Sequence, residues 1–256
     1  MLTEERLQRI LELVERYQSI STRQLTEKLG ISESTVRRDL ALLDGQGTVK
    51  KVRGGVMVIG SRYKAKDDAV SLRKERNPEE KERIARYAAS LIKPDDFVYL
   101  DAGTTTERMI EYLTEKQAVF VTNAVSHAKR LSEAGYTVYL PGGEFKAATE
   151  ALVGEEAVES LQKYNFTKGF WGTNSVSKEE GFCTPDVREA MIKKTSMSRC
   201  AKCYVLCDSS KFSQISCVKF GDFVNADIIT TKVTGKEFVH CSNIVEVDAI
   251  KASHIM

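Results

Sequence analysis

The sequence predicts an α/β protein of two domains, a small helical domain closed by a β-hairpin and a larger domain built on an open, mostly parallel sheet. The chain has 256 residues, enough for one to two domains at roughly 150 residues each. Its first part contains three short helical patterns followed by two short β-like runs. After residue 97, short apolar runs alternate with amphipathic helical stretches, which is typical of an open parallel sheet.

The first two predicted helices have clear boundaries. In the first, apolar residues recur three and four positions apart over residues 7–17. The second begins at Ser21, where Gln24 completes a capping box, and Gly30 ends it. We therefore expect two short helices that pack through one apolar face each.

A third helix and a hairpin complete the small domain. The helix begins at Ser32, and its apolar face consists of Val36, Leu40 and Leu43. Two β-like runs follow at 49–52 and 56–59, joined by Arg-Gly-Gly at 53–55. This order of elements predicts a winged helix-turn-helix at residues 1–59.

A polar, charged stretch separates the two domains. Residues 61–76 have no strong apolar face, so we predict a linker, or an exposed helix, at 60–77. Asn77 as a cap and Pro78 at the first helical position open the next helix and the domain at 78–250. The predicted strands there are 97–100, 118–121, 137–140, 168–171, 203–206 and 228–230, and the predicted helices include 107–113, 155–161 and 186–197.

Composition narrows the class of protein. The net charge of +2 excludes an acidic disordered protein. It also excludes a protein that is basic over its whole surface and covers nucleic acid without sequence preference. The first residues lack the pattern of a secretory signal, and no apolar run approaches the roughly 20 residues that span a bilayer. In that context the six cysteines indicate reduced thiols. We therefore expect a cytoplasmic protein without a membrane partner.

The polar side of the third helix has the residue types that DNA requires. Arginine pairs with guanine through two hydrogen bonds, and hydroxyl groups reach phosphates or base edges. Basic residues of the hairpin can neutralise backbone phosphate. The expected DNA contacts are Ser32, Ser34, Thr35, Arg37, Arg38, Lys50, Lys51 and Arg53. The alternative is a helical docking domain whose arginines form a solvated face.

The first predicted strand of the larger domain ends in a turn of small and hydroxylated residues, Asp-Ala-Gly-Thr-Thr-Thr at 101–106. A helix is predicted directly after this turn. Free N–H groups at a helix N-terminus and threonine hydroxyls favour a bound phosphate. The alternative is that Thr104 only caps the helix.

Other polar turns also follow predicted strands, and in open α/β sheets ligands bind at the carboxyl ends of the strands. We therefore expect these turns to converge with the first one. Glu189 and Lys193, one helical turn apart, add a charged pair. The expected effector-binding residues are Asp101, Gly103, Thr104, Thr105, Thr106, Asn123, Gly142, Gly143, Asn174, Glu189, Lys193, Asp208 and Lys211.

Two runs in the small domain, Ser-Glu-Ser-Thr-Val-Arg-Arg-Asp-Leu at 32–40 and Arg-Gly-Gly-Val at 53–56, follow Arg6, Ile10 and Val14. At this spacing they closely resemble the DeoR family of bacterial transcription regulators. The resemblance implies sequence-specific binding to double-stranded operator DNA. Because two helix-turn-helix units must meet two half-sites, we expect a homodimer or homotetramer.

Residues from about 80 to 248 resemble the sensor domain of the same family. The motifs are Asp-Ala-Gly-Thr-Thr at 101–105, Thr-Asn at 122–123, Gly-Gly at 142–143, Gly-Thr-Asn at 172–174, Gly-Phe-Cys-Thr-Pro at 181–185, Glu-Ala-x-x-Lys at 189–193 and Asp-Ser-Ser-Lys-Phe at 208–212. That sensor fold is similar to ribose-phosphate isomerases and glucosamine-phosphate deaminases, and its ligands are commonly phosphorylated sugars. The resemblance implies that Thr104, Thr105 and Thr106 hold the phosphate, while Asp101, Asn123, Asn174 and Lys211 meet the sugar hydroxyls.

Two residues depart from the family pattern near the expected pocket, and both bear on the identity of the ligand. Ser175 stands where a glycine is usual, and Lys146 stands near the place of a usual arginine. The motifs at 172–174 and 181–185 look most like those of fructose-operon members. This resemblance ranks fructose 1-phosphate first among the expected ligands.

The resulting hypothesis is a repressor of a sugar-utilisation operon that a phosphorylated sugar releases from DNA, with no cofactor and no catalytic residue. One alternative is an isomerase-like enzyme that uses Glu189, Asp101 and Lys211 around an enediolate. Another is an activator of the same family. The spacing of Cys200, Cys203 and Cys207 suggests a metal, but no second cysteine or histidine pair completes a site, so we expect none.

Overall fold

The structure is a computed structural model that describes residues 3–17, 19–52, 54–58, 63–64, 70–212, 215–233 and 235–248. The chain divides into two compact units, residues 1–64 and residues 65–256. Each unit contains its own cluster of buried apolar side chains. Among the helices of these ranges, none combines the length and the apolar character needed to cross a membrane.

The first unit has the helix order and hairpin of the predicted winged helix-turn-helix. Its elements are α1 (Thr3–Tyr17), β1 (Ser19–Ser21), α2 (Thr22–Leu29), α3 (Glu33–Gly45), β2 (Val49–Val52), β3 (Gly55–Val58) and β4 (Tyr63–Lys64). β1, β3 and β2 form a small antiparallel sheet in that order. β1 was not predicted, because three residues are too short to show an alternating pattern. Residue Ile59 of the predicted second hairpin strand lies outside the described residues.

Local capping fixes the boundaries of α2. The Ser21 hydroxyl accepts the N–H of Gln24 at 3.1 Å, and the Gln24 side chain accepts the N–H of Ser21 at 3.0 Å, so the predicted capping box is confirmed. Gly30 ends the helix in the left-handed region, with φ of 64°. A residue with a Cβ adopts that conformation at a cost, which explains why glycine stands there.

The apolar faces of the three helices and the hairpin meet in one core. Its fully buried members are Ile10, Val14, Ile20, Leu25, Val36, Leu40, Leu43, Val49 and Val56. Each buried side chain of this size contributes roughly 1.5–3 kcal/mol relative to an exposed one. Because this core takes one face of α3, the opposite face of that helix remains for another contact.

The second unit contains the larger set of elements. They are α4 (Val70–Glu75), α5 (Pro78–Ser90), β5 (Phe97–Leu100), α6 (Thr104–Met109), β6 (Val119–Thr122), α7 (Val125–Glu133), β7 (Thr137–Tyr139), β8 (Glu144–Lys146), β9 (Ala151–Val153), α8 (Glu155–Gln162), β10 (Phe166–Gly172), β11 (Ser175–Ser177), β12 (Gly181–Thr184), α9 (Val187–Ser198), β13 (Cys200–Leu206), β14 (Ile215–Ser216), β15 (Val218–Gly221), β16 (Asp227–Thr230) and β17 (Ile244–Glu246). Short 3-10 helices occupy Ile110–Tyr112, Ser209–Lys211, Phe223–Asn225 and Lys236–Phe238.

Seven of these strands form one sheet in the order β17-β16-β13-β10-β5-β6-β7, and every pairing in it is parallel. The prediction of an open parallel α/β sheet is confirmed. β17 and two small antiparallel sheets, β11-β12-β15 and β8-β9, were not predicted. Their strands have three or four residues, too few for a reliable period.

The central strand β10 is buried on both faces of the sheet. Phe170 belongs to one apolar cluster and Trp171, the next residue, belongs to the other. Successive side chains of a strand point to opposite faces, and both faces here are covered. The sheet is therefore a firm support for the loops at its carboxyl end.

Several predicted boundaries differ from the structure, most of them by one to three residues. The differences around the start of the second unit are larger. Pro78 opens α5 as predicted, but the Asn77 side chain does not cap that helix and instead donates to Asp208 Oδ1 at 2.9 Å. The helix predicted at 107–113 begins earlier, at Thr104. Within the stretch predicted as a linker at 60–77, residues 70–75 form α4.

Candidate functional site

α3 divides its residues between a buried and an exposed face. Val36 and Leu40 are buried in the core, whereas Ser34, Arg37 and Arg38 are exposed. The helical period of 3.6 residues produces this division directly from the sequence. Five of the eight predicted DNA contacts belong to this helix or to its N-cap, namely Ser32, Ser34, Thr35, Arg37 and Arg38.

Hydroxyl groups collect at the N-terminus of α3. The Ser32 hydroxyl accepts the N–H of Thr35 at 3.3 Å and caps the helix. It also lies 2.9 Å from the hydroxyl of Ser34 and 2.8 Å from that of Thr35. These three predicted DNA-contact residues therefore form one polar group at the start of the helix.

The two adjacent arginines of α3 differ in their surroundings. Arg37 pairs with Glu33 one turn earlier, at 2.6 Å, and both side chains are exposed. Arg38 has no hydrogen bond or ion pair within the described ranges. An exposed pair at this spacing is worth only about 0.3–0.5 kcal/mol, so DNA can displace it readily. Arg38 is thus the arginine that a base or phosphate meets without competition.

A buried ion pair fixes α3 against α1. Arg6 donates to both carboxylate oxygens of Asp39, at 2.6 Å and 3.0 Å, and Asp39 is only 3% exposed. Such a two-point contact sets the orientation of the helix as well as its position. This contact could not be predicted from the sequence, because the two partners are 33 residues apart.

The hairpin places basic side chains at the surface. Lys50 and Lys51 are both exposed, and the backbone N–H of Lys51 donates to Asp44 Oδ1 at 2.8 Å, which ties β2 to the end of α3. The predicted contact Arg53 lies outside the described residues.

In the second unit, the carboxyl ends of β5, β10 and β13 surround a pocket, and α4, α5 and α9 complete it. The three strands are neighbours in the sheet, so their terminal loops meet. Nine predicted effector residues line this pocket, namely Asp101, Gly103, Thr104, Thr105, Asn174, Glu189, Lys193, Asp208 and Lys211. The other lining residues are Arg73, Arg76, Lys81, Ala102, Gly172, Thr173 and Leu206.

Four predicted effector residues lie outside this lining. Thr106 is fully buried behind the first loop, and Asn123 is held by the Tyr99 hydroxyl at 3.0 Å. Gly142 lies beside Ser160, and Gly143 lines a separate shallow cavity next to α8. The turns after β6 and β7 lie further towards the sheet edge, and the sequence does not reveal that strand order.

Asp101 organises the centre of the pocket. Its Oδ2 accepts the N–H of Gly172 at 3.1 Å and pairs with the ammonium group of Lys193, which also donates to the carbonyl of Gly172 at 3.0 Å. The Asp101 and Lys193 side chains are 2% and 9% exposed, so the pair is buried. Asp101 thus joins the loop after β5, the loop after β10 and α9.

The loop after β5 is tightly packed at Gly103. A Cβ on Gly103 would lie 3.1 Å from Thr106 Oγ1 and 3.5 Å from the Cα of Gly172. The Thr106 hydroxyl donates to the carbonyl of Asp101 at 2.6 Å and accepts the N–H of Gly103 at 3.0 Å. Thr106 therefore shapes the loop from behind rather than facing the pocket.

A buried histidine, which sequence reasoning did not select, supports the same loop. His127 Nε2 lies 3.1 Å from the carbonyl of Gly103, and the residue is 4% exposed. Burial lowers the pKa of His127, although the charge of Glu107 opposes this effect. A neutral ring that donates to the Gly103 carbonyl fits this environment.

Two threonines at the start of α6 remain available in the pocket. Thr104 and Thr105 line it, and neither hydroxyl has a hydrogen bond to another described residue. A hydroxyl group both donates and accepts, so the pair can bind an oxyanion or a sugar hydroxyl.

Glu189 is held as a carboxylate at the pocket wall. Lys146 contacts Glu189 at 2.7 Å and Asp186 at 2.9 Å. Burial would raise the pKa of Glu189, but the hydrogen bond from Lys146 and the charge of Lys193 bring it below the ordinary value. Lys146, which departs from the family pattern, thus acts through Glu189 and does not line the pocket.

The pocket is rich in cations, and three of them were missed by sequence reasoning. Five basic side chains line it against three acidic ones, and Arg73, Arg76 and Lys81 come from the segment before the first strand. Burial lowers the pKa of Lys81 to about 8, although the charge of Asp208 opposes this effect. Arg73 and Arg76 lie in the stretch that we predict as a linker, and Lys81 lies in the first turns of the next helix. The sequence therefore offers no pattern that assigns these three cations to a site.

The cysteines do not form a metal centre in the described ranges. All six are free, and no group of three or more His, Cys, Asp or Glu side chains there is arranged to hold a metal ion. Cys207 is buried, and burial raises the pKa of its thiol.

Two family models match the chain. A DeoR-like helix-turn-helix domain matches residues 6–62, and a DeoR C terminal sensor domain matches residues 76–233. The second match alone covers more than half of the chain, and the two together follow the two units of the structure.

Curated relatives are similar over most of the chain. An uncharacterized HTH-type transcriptional regulator FruR of Bacillus subtilis is 40% identical over 90% of this chain and 92% of its own length. The HTH-type transcriptional regulator GlpR of Haloferax volcanii is 31% identical over 98% of this chain and 99% of its own. A lactose phosphotransferase system repressor of Staphylococcus aureus is 36% identical over 81% of this chain and 83% of its own length.

Among solved structures, ribose 5-phosphate isomerase A of Methanocaldococcus jannaschii aligns with a TM-score of 0.39 at 16% identity. That alignment covers 54% of this chain, which spans only 56% of the isomerase. The sorbitol operon regulator SorC of Klebsiella pneumoniae aligns with a TM-score of 0.38 at 10% identity, over 80% of this chain and 89% of its own. The two domain matches and the relatives agree in class: the chain belongs to the DeoR family of DNA-binding transcriptional regulators.

Proposed function

We propose that this protein is a cytoplasmic repressor of a sugar-utilisation operon and that a phosphorylated sugar in the pocket of the second unit releases it from its operator. Support comes from the family, from relatives named as FruR and as lactose phosphotransferase system repressors, and from the chemistry of the pocket. A ligand can act in this way only if it binds one state of the protein more tightly than the other.

The observation that carries this proposal is the convergence of five cations and two free threonine hydroxyls on one pocket. A phosphate group has three acceptor oxygens and up to two negative charges, and charge-assisted hydrogen bonds are its strongest interactions. An uncharged sugar would leave this charge unmatched. The lining therefore favours a phosphorylated ligand over its free sugar.

The predicted effector residues divide into residues that contact the ligand and residues that position others. Thr104 and Thr105 are assigned to the phosphate, and Asn174 and Lys211 to the sugar hydroxyls. Asp101 and Glu189 position the residues around the pocket through their ion pairs with Lys193 and Lys146. The buried or distant positions of the four predicted residues outside the lining favour a supporting role for them. Those four residues are Thr106, Asn123, Gly142 and Gly143.

The DNA contacts are assigned to the exposed face of α3 and to the hairpin. Arg38 reads a base, and Lys50 and Lys51 contact phosphate. Ser32, Ser34, Thr35 and Arg37 also contact DNA. Arg53, which lies outside the described residues, is assigned to the same interface from the sequence. A homodimer or homotetramer presents two such units to two half-sites.

Fructose 1-phosphate is the proposed ligand. The motifs at 172–174 and 181–185 support it, as does the similarity to a regulator named FruR. Phosphorylated sugars of other operons are the competitors, because a lactose phosphotransferase system repressor is also similar.

A titration with matched sugars tests the proposal. Calorimetry should show fructose 1-phosphate binding at least ~100-fold more tightly than fructose, because several charge-assisted hydrogen bonds are worth about 1.5–3 kcal/mol each. The same ligand should release the protein from a duplex that it selects from a random library, as measured by fluorescence anisotropy. Equal affinity for the sugar and its phosphate would contradict the proposal.

A charge-reversing variant adds a second control. Thr105→Glu places a carboxylate in the proposed phosphate site, so it should abolish release by the sugar phosphate. DNA binding should persist, because the first unit has its own core. Normal release of the variant would place the anion elsewhere.

A further inference from the structure

Within the described ranges, Arg73 is the one residue of the pocket lining that has buried guanidinium nitrogens without a hydrogen-bond partner. Its Nε and Nη2 atoms are both in this state. A buried donor on a charged group is unfavourable when it has no hydrogen-bond partner. An anion from outside the chain would supply that partner.

The acids of the pocket do not supply that anion. Asp101 is bound by Lys193, and Glu189 is bound by Lys146. Asp208 accepts the N–H of a residue in the 3-10 helix that follows it, at 3.0 Å. All three carboxylates thus already have partners on other elements.

The charges around Lys81 are mostly positive. Lys81 lies in the same lining as Arg73 of α4 and as Lys211 and Asp208 of the loop after β13. Arg108 of α6, outside the lining, also acts on Lys81 through its charge. Burial, and the three cationic neighbours, lower the pKa of Lys81 to about 8 against the opposing effect of Asp208. An anion with two charges would relieve both the burial of Arg73 and the repulsion around Lys81.

The main chain of Arg73 belongs to α4, which is attached to the second unit by charged contacts. The Lys81 ammonium group donates to the carbonyl of Arg73. Next to it, Lys74 pairs with Glu107 of α6 at 2.9 Å. α4 is the first described helix after residue 64, where the DNA-binding unit ends.

We propose that Arg73 binds the anionic group of the effector and that this contact holds α4 against the second unit. Arginine suits this role because its planar fork makes two parallel hydrogen bonds to a phosphate and stays charged at all relevant pH values. The sugar-phosphate identity of the anion rests on the proposed function. The role of Arg73 as an anion-binding residue does not, since it follows from the unpaired guanidinium.

Affinity for two probes tests the binding step. Arg73→Gln should weaken the binding of inorganic phosphate and of fructose 1-phosphate to the full chain by about 10- to 100-fold, the range of a lost charge-assisted contact. Arg73→Lys keeps the positive charge but loses the two parallel N–H donors of the guanidinium group. Its affinity for both probes should lie between those of Arg73→Gln and the wild type. Arg86→Gln, on the exposed side of α5 and paired with Glu82, is the matched control and should change nothing. A loss below about threefold in Arg73→Gln, with an unchanged melting temperature, would overturn the proposal.

Amide hydrogen exchange tests the coupling to α4. In the wild type and in Arg86→Gln, saturation with inorganic phosphate should slow amide exchange over residues 70–75. In Arg73→Gln, a phosphate concentration high enough to saturate that variant should leave the exchange rates of these residues unchanged. Equal slowing in Arg73→Gln, or no slowing in the wild type, would show that the anion does not hold α4. If phosphate binds through Arg73 while no sugar phosphate releases the DNA, the proposed function fails and this inference remains.

Discussion

Replacing Lys193 with methionine should destabilise the second unit strongly, because it leaves the carboxylate of Asp101 buried without its cation. The two side chains are 9% and 2% exposed, and the remaining partner of the carboxylate is the N–H of Gly172. Removing one partner of a buried ion pair costs about 3–5 kcal/mol. For a unit of this size, about 2–4 °C per kcal/mol gives a fall of the melting temperature of roughly 6–20 °C.

The chain provides a selective probe for this measurement. Trp171 is the only tryptophan of the sequence, and it is fully buried in the second unit, where its Nε1 donates to Ser196 at 3.0 Å. Its fluorescence during thermal or urea unfolding therefore reports that unit and not the DNA-binding one. Lys194→Met, at the adjacent exposed position, is the control. Its free energy of unfolding should stay within about 0.5 kcal/mol of that of the wild type.

A second substitution separates the charge from the packing. Adding Asp101→Asn to Lys193→Met removes the unpaired charge, so the double variant should be more stable than Lys193→Met alone. The assignment of this pair as the structural centre of the pocket would be refuted if Lys193→Met lowered the free energy of unfolding by less than about 1 kcal/mol. It would also be refuted if the double variant were less stable than Lys193→Met.

Two further predictions concern DNA and pH. Arg38→Ala should cost about 1–3 kcal/mol of specific binding if it reads a base, whereas Lys51→Ala should weaken all duplexes alike and reduce the salt dependence, both measured by anisotropy; equal effects of both on specific and random DNA would show that the reading helix is misassigned. Affinity for a sugar phosphate should be highest between about pH 6 and pH 8, since the phosphate loses its second proton near pH 6 and Lys81, with a pKa of about 8, loses its charge above that value. Calorimetry from about pH 6 to about pH 9.5 should show the fall in affinity above pH 8 in the wild type and not in Lys81→Arg; an affinity of the wild type that stays constant up to about pH 9.5 would contradict the role of Lys81.

Local patterns determined much of the fold before any tertiary contact was known. The capping box at Ser21, the left-handed glycine at Gly30 and the apolar period of α3 each act within a few residues of the chain. The alternation of strands and helices likewise indicates a parallel sheet, since a crossover helix must lie between parallel strands. Because a strand, a turn of small residues and a helix follow one another at 97–109, the turn at 101–106 could be predicted as a binding loop from the sequence.

Strand order could not be determined in that way, and it decided which loops share the pocket. β5, β10 and β13 are neighbours in the sheet, although β6 to β9 lie between β5 and β10 in the chain. The turns with Asn123 and Gly143 had equally polar sequences, yet they follow strands nearer the edge. Composition alone does not distinguish these cases, because the order depends on packing across the whole sheet.

The distant ion pairs and the cations of α4 and α5 were also decided only by the tertiary structure. Asp39 meets Arg6 across 33 residues, and Asp101 meets Lys193 across 92. In the sequence each of these charges was indistinguishable from a solvated one, and Arg73 belonged to a stretch without an apolar face. Periodicity reports which side of an element is buried, but the partner of a charged group depends on which elements the fold brings together.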